Sequence, residues 1–488
     1  MELSGPDNLK ISWIVGTFLT CTIPLTLGMS CSYGERGSLT VYCTNATTRF
    51  FKITPYRFDH LDETFKCINC TLTTLEQGTF DMSGNQIKVM DISNSSVTYI
   101  LPKAFIGLIF MEKLILNNNQ IRDISLGAFI GIRKIRVLEM ENTVGELHPF
   151  VFQELHLLEE MNMKHSKLTT LEDGVFEGLH NLRILDISYN KLSSISNQTF
   201  TPLVHLESLN LEYNEIKKIH TIEFHTLNHL LALNVRHNHI QNASVKFSPQ
   251  SSLRSLNLAE NELHLNTDRS DHIGDLPNLE ELDLSANTIE KTPIGFLRGL
   301  FRLRVLNLSF NKIEHFTVGA YTGLPHLRVL NLSNNALTQM KVIGRLQLHS
   351  LDRLDLANNN LKEFNYIGLI IRAPKLSYLN LYNNDIECHI LYQLEVAFSE
   401  DNVNFVVGGK NANGCSGNIT NEDLDEVIRK LAEEYYITTS STASILFFSC
   451  LLLLLVGVLF YIQFFVLDTD PRVVFRRSHG QTTQQDIS

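Results

Sequence analysis

One alternation of apolar and polar positions recurs along most of the chain, in the form L-x-x-L-x-L-x-x-N-x-L. Clear copies are LRILDISYNKL (182–192), LESLNLEYNEI (206–216), LRSLNLAENEL (253–263), LEELDLSANTI (279–289) and LDRLDLANNNL (351–361). With the Asn position as a marker, copies fall at 70, 95, 119, 143, 166, 190, 214, 238, 261, 287, 311, 335, 359 and 384. Successive markers are 23 to 26 residues apart, mostly 24. Cys70, Ser95, Thr143 and Ser166 occupy four markers, and Asn the other ten. Fourteen in-phase copies fix the organisation before any single motif is weighed.

Each copy predicts a short strand, because strand side chains point alternately to opposite faces. The heptamer LRVLNLS occurs at 303–309 and again at 327–333. In its first copy Leu306 and Leu308 are expected to face inward, and Val305, Asn307 and Ser309 outward. Asn311 turns inward at the strand's end, where its amide can satisfy backbone groups of neighbouring coils. The second half of the unit repeats too, as LTTLEQGTF (72–80) and LTTLEDGVF (168–176) show. Phe105, Phe129, Phe176, Phe200 and Phe224 each follow a marker by ten residues and predict a stacked aromatic spine. Such a coil cannot bury its apolar face alone and must stack on its neighbours.

The pattern resembles the extracellular leucine-rich-repeat family, of the 24-residue type, over about residues 62–387. The resemblance implies an α/β fold, a horseshoe solenoid with a parallel sheet on the concave face and irregular or short helical turns on the convex face. Its open ends imply caps, at 31–61 and 388–420. In the second cap, NNDIECHILYQLEVAF (383–398) continues as a helix with Leu391, Leu394 and Phe398 on one face, followed by the strand-like VNFVV (403–407). A Cys388–Cys415 disulfide is expected to close it, a departure from the common four-cysteine cap.

The ends of the chain place this array in a compartment. Residues 11–27 are apolar but interrupted, and Gly28-Met29-Ser30 follows as a small-x-small pattern, so a signal peptide is expected over 1–30. Ile445–Leu467 is a 23-residue apolar run and predicts a transmembrane helix. Arg472, Arg476 and Arg477 just beyond it put the tail, 468–488, in the cytoplasm. The expected protein is a single-pass type I protein of the plasma membrane, with an amphipathic juxtamembrane helix and stalk at 421–444. A tail this short holds no signalling domain, although Arg476-Arg477-Ser478 offers a phosphorylation pattern.

Six cysteines lie outside the two apolar runs: Cys31, Cys43, Cys67, Cys70, Cys388 and Cys415. An even number clustered at both ends reads as disulfides. For the first four, three pairings are open, and a zinc reading of C-x-x-C lacks its second pair. Eight N-linked acceptor patterns occur, at Asn45, Asn69, Asn94, Asn197, Asn242, Asn307, Asn331 and Asn418. Sugars on Asn307 and Asn331 would sit in the outward column of the sheet and displace protein contact toward coils 139–260.

Formal net charge is −11, of which residues 1–30 carry −1 and 468–488 none. That balance argues against a nucleic-acid partner. No P-loop, nucleophile elbow or metal-type His-Glu helix is present, so no catalysis and no cofactor or metal is expected. A binding surface is the better expectation. The residue before the marker reads Asn142, His165, Tyr189, Tyr213, His237 and Glu260 in successive coils. The column beside it reads Glu141, Lys164, Ser188, Glu212 and Arg236, whereas later coils offer Ala259, Ser285, Ala286, Ser309 and Ala357. His165, Tyr189, Tyr213 and His237, with Glu141, Lys164, Glu212 and Arg236, are therefore the candidate ligand-binding residues. The two histidines would make binding respond to pH. The expected function is recognition or adhesion at the cell surface through an extracellular protein ligand, with a signalling co-receptor and a homodimer left open. An innate-immune binding protein or co-receptor, and a structural matrix-organising protein, are the alternatives.

Overall fold

The computed structural model describes residues 28–33, 39–53, 61–80, 84–196, 198–218, 226–241, 251–265, 273, 276–340, 346, 348–398, 403–407 and 429–430. The predicted membrane helix at 445–467, most of the leader, Asn197, Asn242, Asn418, Phe224 and Cys415 lie outside these. Among the described residues no helix is long and apolar enough to cross a membrane. The chain packs as two compact units, 1–240 with 245–253, and 241–244 with 254–488.

The first unit is a parallel-sheet solenoid. Its strands Thr64–Ile68, Val89–Asp91, Lys113–Ile115, Val137–Glu139, Glu160–Asn162, Ile184–Asp186, Ser208–Asn210 and Ala232–Asn234 pair in sequence order and in parallel. Equivalent positions of successive coils face each other, so each apolar column becomes continuous. Leu114, Leu138, Met161, Leu185, Leu209 and Leu233 form one such column, none more than 2% exposed. The second unit repeats the plan through Ser255–Asn257, Glu281–Asp283, Val305–Asn307, Val329–Asn331, Arg353–Asp355 and Tyr378–Asn380.

Asn at the marker does what the pattern requires. Asn311 donates from Nδ2 to the carbonyls of Leu284 at 2.9 Å and Leu308 at 3.1 Å, and its Oδ1 accepts from Ile289 N–H at 3.1 Å. Leu284 and Ile289 belong to the preceding coil, so one buried amide ties two coils together. Where the marker is Thr143 or Ser166, the hydroxyl donates to the preceding coil's carbonyl, Leu116 or Met140, and takes over part of this role.

Among the described residues the predicted aromatic spine is present as two stacks, which Phe80 and Phe152 join as further members, while Phe224 lies outside these residues. Phe80, Phe105, Phe129 and Phe152 stack in succession at 6.4, 5.9 and 5.8 Å, and Phe176 stacks on Phe200 at 5.9 Å. Phe152 follows its marker by nine residues because that coil is one residue short. In the second unit Tyr321 takes the spine position, fully buried and stacked on Phe316 at 4.5 Å. Burial pushes its phenol far above the ordinary range.

At the amino-terminal end, Cys31–Cys43 and Cys67–Cys70 are the disulfides, which selects one of the three pairings and leaves no C-x-x-C thiols for zinc. Strand Ser30–Tyr33 runs antiparallel to Thr40–Thr44, which pairs in parallel with the first coil. At the other end, helix Cys388–Phe398 buries Leu394 and Phe398, and Asn404–Val406 adds a parallel strand to Tyr378–Asn380. Leu391 is only half-buried. Cys388 is disulfide-bonded.

Four outward assignments are corrected. Ser188 and Ser309 are 0% and 4% exposed, and Ala259 and Ala357 are buried as well. A small side chain two residues before the marker falls below the surface made by larger neighbours. The Ser309 hydroxyl donates to Asn307 Oδ1 at 2.8 Å.

Candidate functional site

The residue before each marker shares an unusual backbone. From Asn69 to Asn383 all fourteen have φ between 52° and 58°, the left-handed region. Asn tolerates this conformation because its short amide can bond locally, whereas other side chains are strained by roughly 1–2 kcal/mol. Seven coils use Asn: 69, 94, 118, 142, 334, 358 and 383. The other seven are consecutive: His165, Tyr189, Tyr213 and His237 in the first unit, then Glu260, Ala286 and Phe310 in the second.

The four in the first unit are brought together as expected, and their arrangement is specific. His165 and Tyr189 have ring centroids 4.5 Å apart, Tyr189 and Tyr213 4.3 Å, and Tyr213 and His237 4.1 Å. The last two pairs are within 22° of parallel. The spacing matches the separation of neighbouring strands, so the sheet sets the pitch of the stack. Stacked rings attract one another beyond their burial, by about 0.5–1.5 kcal/mol per pair. That attraction offsets much of the backbone strain and explains how bulky rings can replace Asn in a run. Asn pairs use hydrogen bonds instead, as between Asn142 Nδ2 and Asn118 Oδ1 at 3.1 Å.

The neighbouring column supports the ridge unevenly. Lys164 Nζ lies 5.1 Å from the Tyr189 ring centroid, and the Arg236 guanidinium 6.0 Å from that of Tyr213. Glu212 accepts from Asn234 Nδ2 at 2.9 Å, while Ser188 drops out of the column altogether. Glu141 is half-buried, and its N–H donates to Asn117 Oδ1 at 2.8 Å. The Tyr189 phenol is raised above its ordinary value, first by burial between its neighbours and then by the Glu212 carboxylate. Both hold the proton on, so Tyr189 stays a hydrogen-bond donor well into alkaline solution. His165 and His237, at the two ends of the stack, are exposed.

Two features escaped the sequence reading. Seven residues before each marker runs Glu63, Lys88, Glu112, Arg136, Glu159, Arg183 and Glu207, a column of strictly alternating charge. Lys88 Nζ pairs with Glu63 at 2.7 Å, Arg136 pairs with Glu159, and Arg183 grips Glu207 with two bonds of 2.9 and 3.0 Å. In the second unit Glu280 lies 3.9 Å from Arg254 and 3.0 Å from Arg304. These pairs join neighbouring coils, and of the first-unit column all but Glu112 are engaged in them. The second feature is a pair of exposed lysines one residue after the marker, Lys167 and Lys191. Their signal was a repeated basic residue at one register position.

The family described as "Leucine rich repeat" matches residues 85–144, 140–192, 157–216, 180–240, 204–263, 277–337 and 301–361, more than half of the chain. Among solved structures the chain is similar to the LRIM1/APL1C complex, at 19% identity and TM-score 0.57, over 85% of this chain and 76% of that one. It is similar to the Toll–Spatzle complex of Drosophila at 17% identity and TM-score 0.57, over 74% of this chain and 52% of that one. A third likeness is to a leucine-rich-repeat protein of Leptospira interrogans, at 23% identity and TM-score 0.51, over 71% and 90%. No match is found among curated protein sequences. At these identities the likenesses establish the fold.

Proposed function

Because the chain belongs to the leucine-rich-repeat family, we propose that it is a cell-surface recognition or adhesion receptor that binds a protein ligand on its open sheet face. The observation that carries this is the unbroken run from His165 to His237. Four consecutive coils give up the strain-free Asn for rings that stack in the open. Glu260, Ala286 and Phe310 share this backbone, so what sets the run apart is the continuous stack of rings that its side chains build. Aromatic and basic side chains also dominate binding energy at protein interfaces. Toll with Spatzle and LRIM1 with APL1C are each seen in complexes, which fits a solenoid used for partner binding.

The test is capture of partners on living cells by a soluble form spanning residues 31–444. Tyr189→Ala combined with Tyr213→Ala is expected to weaken capture by about tenfold or more. Equal affinity in both forms would show that the ridge is not the contact surface.

The acceptors Asn307 and Asn331 are register partners on adjacent strands of the second unit. Sugars there would screen that part of the sheet and leave the ridge as the open protein surface. Peptide mass after expression in a glycosylating host is expected to show both modified. Two unmodified asparagines would remove the screen.

A further inference from the structure

The chemistry of the ridge narrows what can lie on it. Tyr189 and Tyr213 cover each other's faces at 4.3 Å, so a partner's aromatic ring finds no open slot between them. What remains outward is ring edge, where each phenol O–H can donate as well as accept. The two coils that carry His165 and Tyr189 also carry three lysines. Lys164 precedes His165 and reaches the Tyr189 ring. Lys167 and Lys191 follow His165 and Tyr189 by two residues, on successive coils joined by Lys191 N–H donating to the Leu168 carbonyl at 2.8 Å. Among the described residues none of the three forms an ion pair, whereas Lys88, Arg136 and Arg183 of the same unit all hold carboxylates. Glu141, one coil earlier in the column of Lys164, forms no ion pair with it, and Glu212, which keeps its charge while accepting from Asn234, lies on the Tyr213 side of Tyr189.

We propose that this corner of the ridge, Lys164, Lys167 and Lys191 around Tyr189, receives an acidic segment of the partner protein. Its carboxylates accept from the lysine ammonium groups and from the phenol O–H at the ring edge. The patch spans two coils, about 5 Å of sheet, which suits two or three carboxylates. A long polyanion such as heparin or nucleic acid gains its affinity from many contacts along a track. The net charge of −11 on the chain opposes that mode at longer range. The inference rests on the ridge being the contact surface, and adds which chemistry it selects.

The test uses the full chain in detergent, immobilised and panned with a random short-peptide library. Recovered peptides are expected to be enriched in Asp and Glu over the unselected library. The affinity of the strongest should fall about tenfold or more for the triple variant Lys164→Gln, Lys167→Gln, Lys191→Gln. It should also fall with rising salt. Lys312→Gln, in the second unit, serves as the control and should change nothing. All three ridge lysines are exposed or half-buried, so the unfolding midpoint of the triple variant should match that of the parent. Peptides without acidic enrichment, or equal binding by the triple variant, overturn the proposal. So does retention on heparin that depends on the three lysines when no acidic peptide binds. Cell capture that survives Tyr189→Ala with Tyr213→Ala instead overturns the recognition reading itself. Capture lost in that variant, with no acidic preference here, overturns only the present inference.

Discussion

Phe129→Ala is expected to lower the stability of the first unit by about 3–5 kcal/mol. Phe129 is 1% exposed and stacks between Phe105 and Phe152 at 5.9 and 5.8 Å, so its loss opens a cavity in a continuous column. The neighbours cannot close the gap, because each ring is held at the pitch of its own coil. In a solenoid the coils contact only their nearest neighbours, so the damage concentrates on the interfaces flanking one coil. Urea unfolding followed by circular dichroism reads it as a lowered midpoint. Phe129→Leu, which restores most of the volume, should cost less than about 1.5 kcal/mol. A loss under about 1 kcal/mol for the alanine variant would mean that the spine does not hold the coils together.

Asn214→Ala is the second large effect, expected at about 2–4 kcal/mol, and its origin is polar. Asn214 Oδ1 accepts from Leu192 N–H at 3.0 Å. Its Nδ2 donates to the carbonyls of Ile187 at 3.1 Å, Leu211 at 3.0 Å and Glu212 at 3.3 Å. Alanine strands a buried N–H and at least one buried carbonyl at the seam between two coils. Native-state hydrogen exchange should show faster exchange at the Leu192 amide while distant coils stay protected. Asn214→Asp separates the two halves of the role. It keeps the acceptor but loses the donors and buries a charge, so it should be at least as destabilising as alanine. If Asp is tolerated and Ala is not, the donor bonds are not what matters. Tyr213 precedes this residue, so loss of the seam should also loosen the ridge above it.

Much of this was legible in the amino-acid order. A 24-residue period with Leu at alternate strand positions leaves little freedom, because a slip of one residue would expose every buried Leu. The Asn marker was readable for the same reason, since only a short amide offers donor and acceptor together at a buried turn. The ridge column was found by counting, yet its conformation was not. Side-chain pattern carries no direct record of φ, although the recurrence of Asn at that position was a signal for left-handed backbone. Ser188 and Ser309 were misplaced because alternation gives direction, whereas depth depends on neighbours from other coils. Phe152 escaped because a fixed offset fails where a coil is one residue short. The pairing of Cys31 with Cys43 and Cys67 with Cys70 needed the strands that bring them together.

The alternating charges from Glu63 to Glu207 give the first unit a parity. Each coil is odd or even by the sign it carries at that edge, and neighbours match only when the signs differ. Deleting one coil between Lys88 and Arg183 would set two like charges side by side, whereas deleting two would leave the alternation intact. Length change in this unit is therefore cheapest in steps of two coils, by natural duplication or by design.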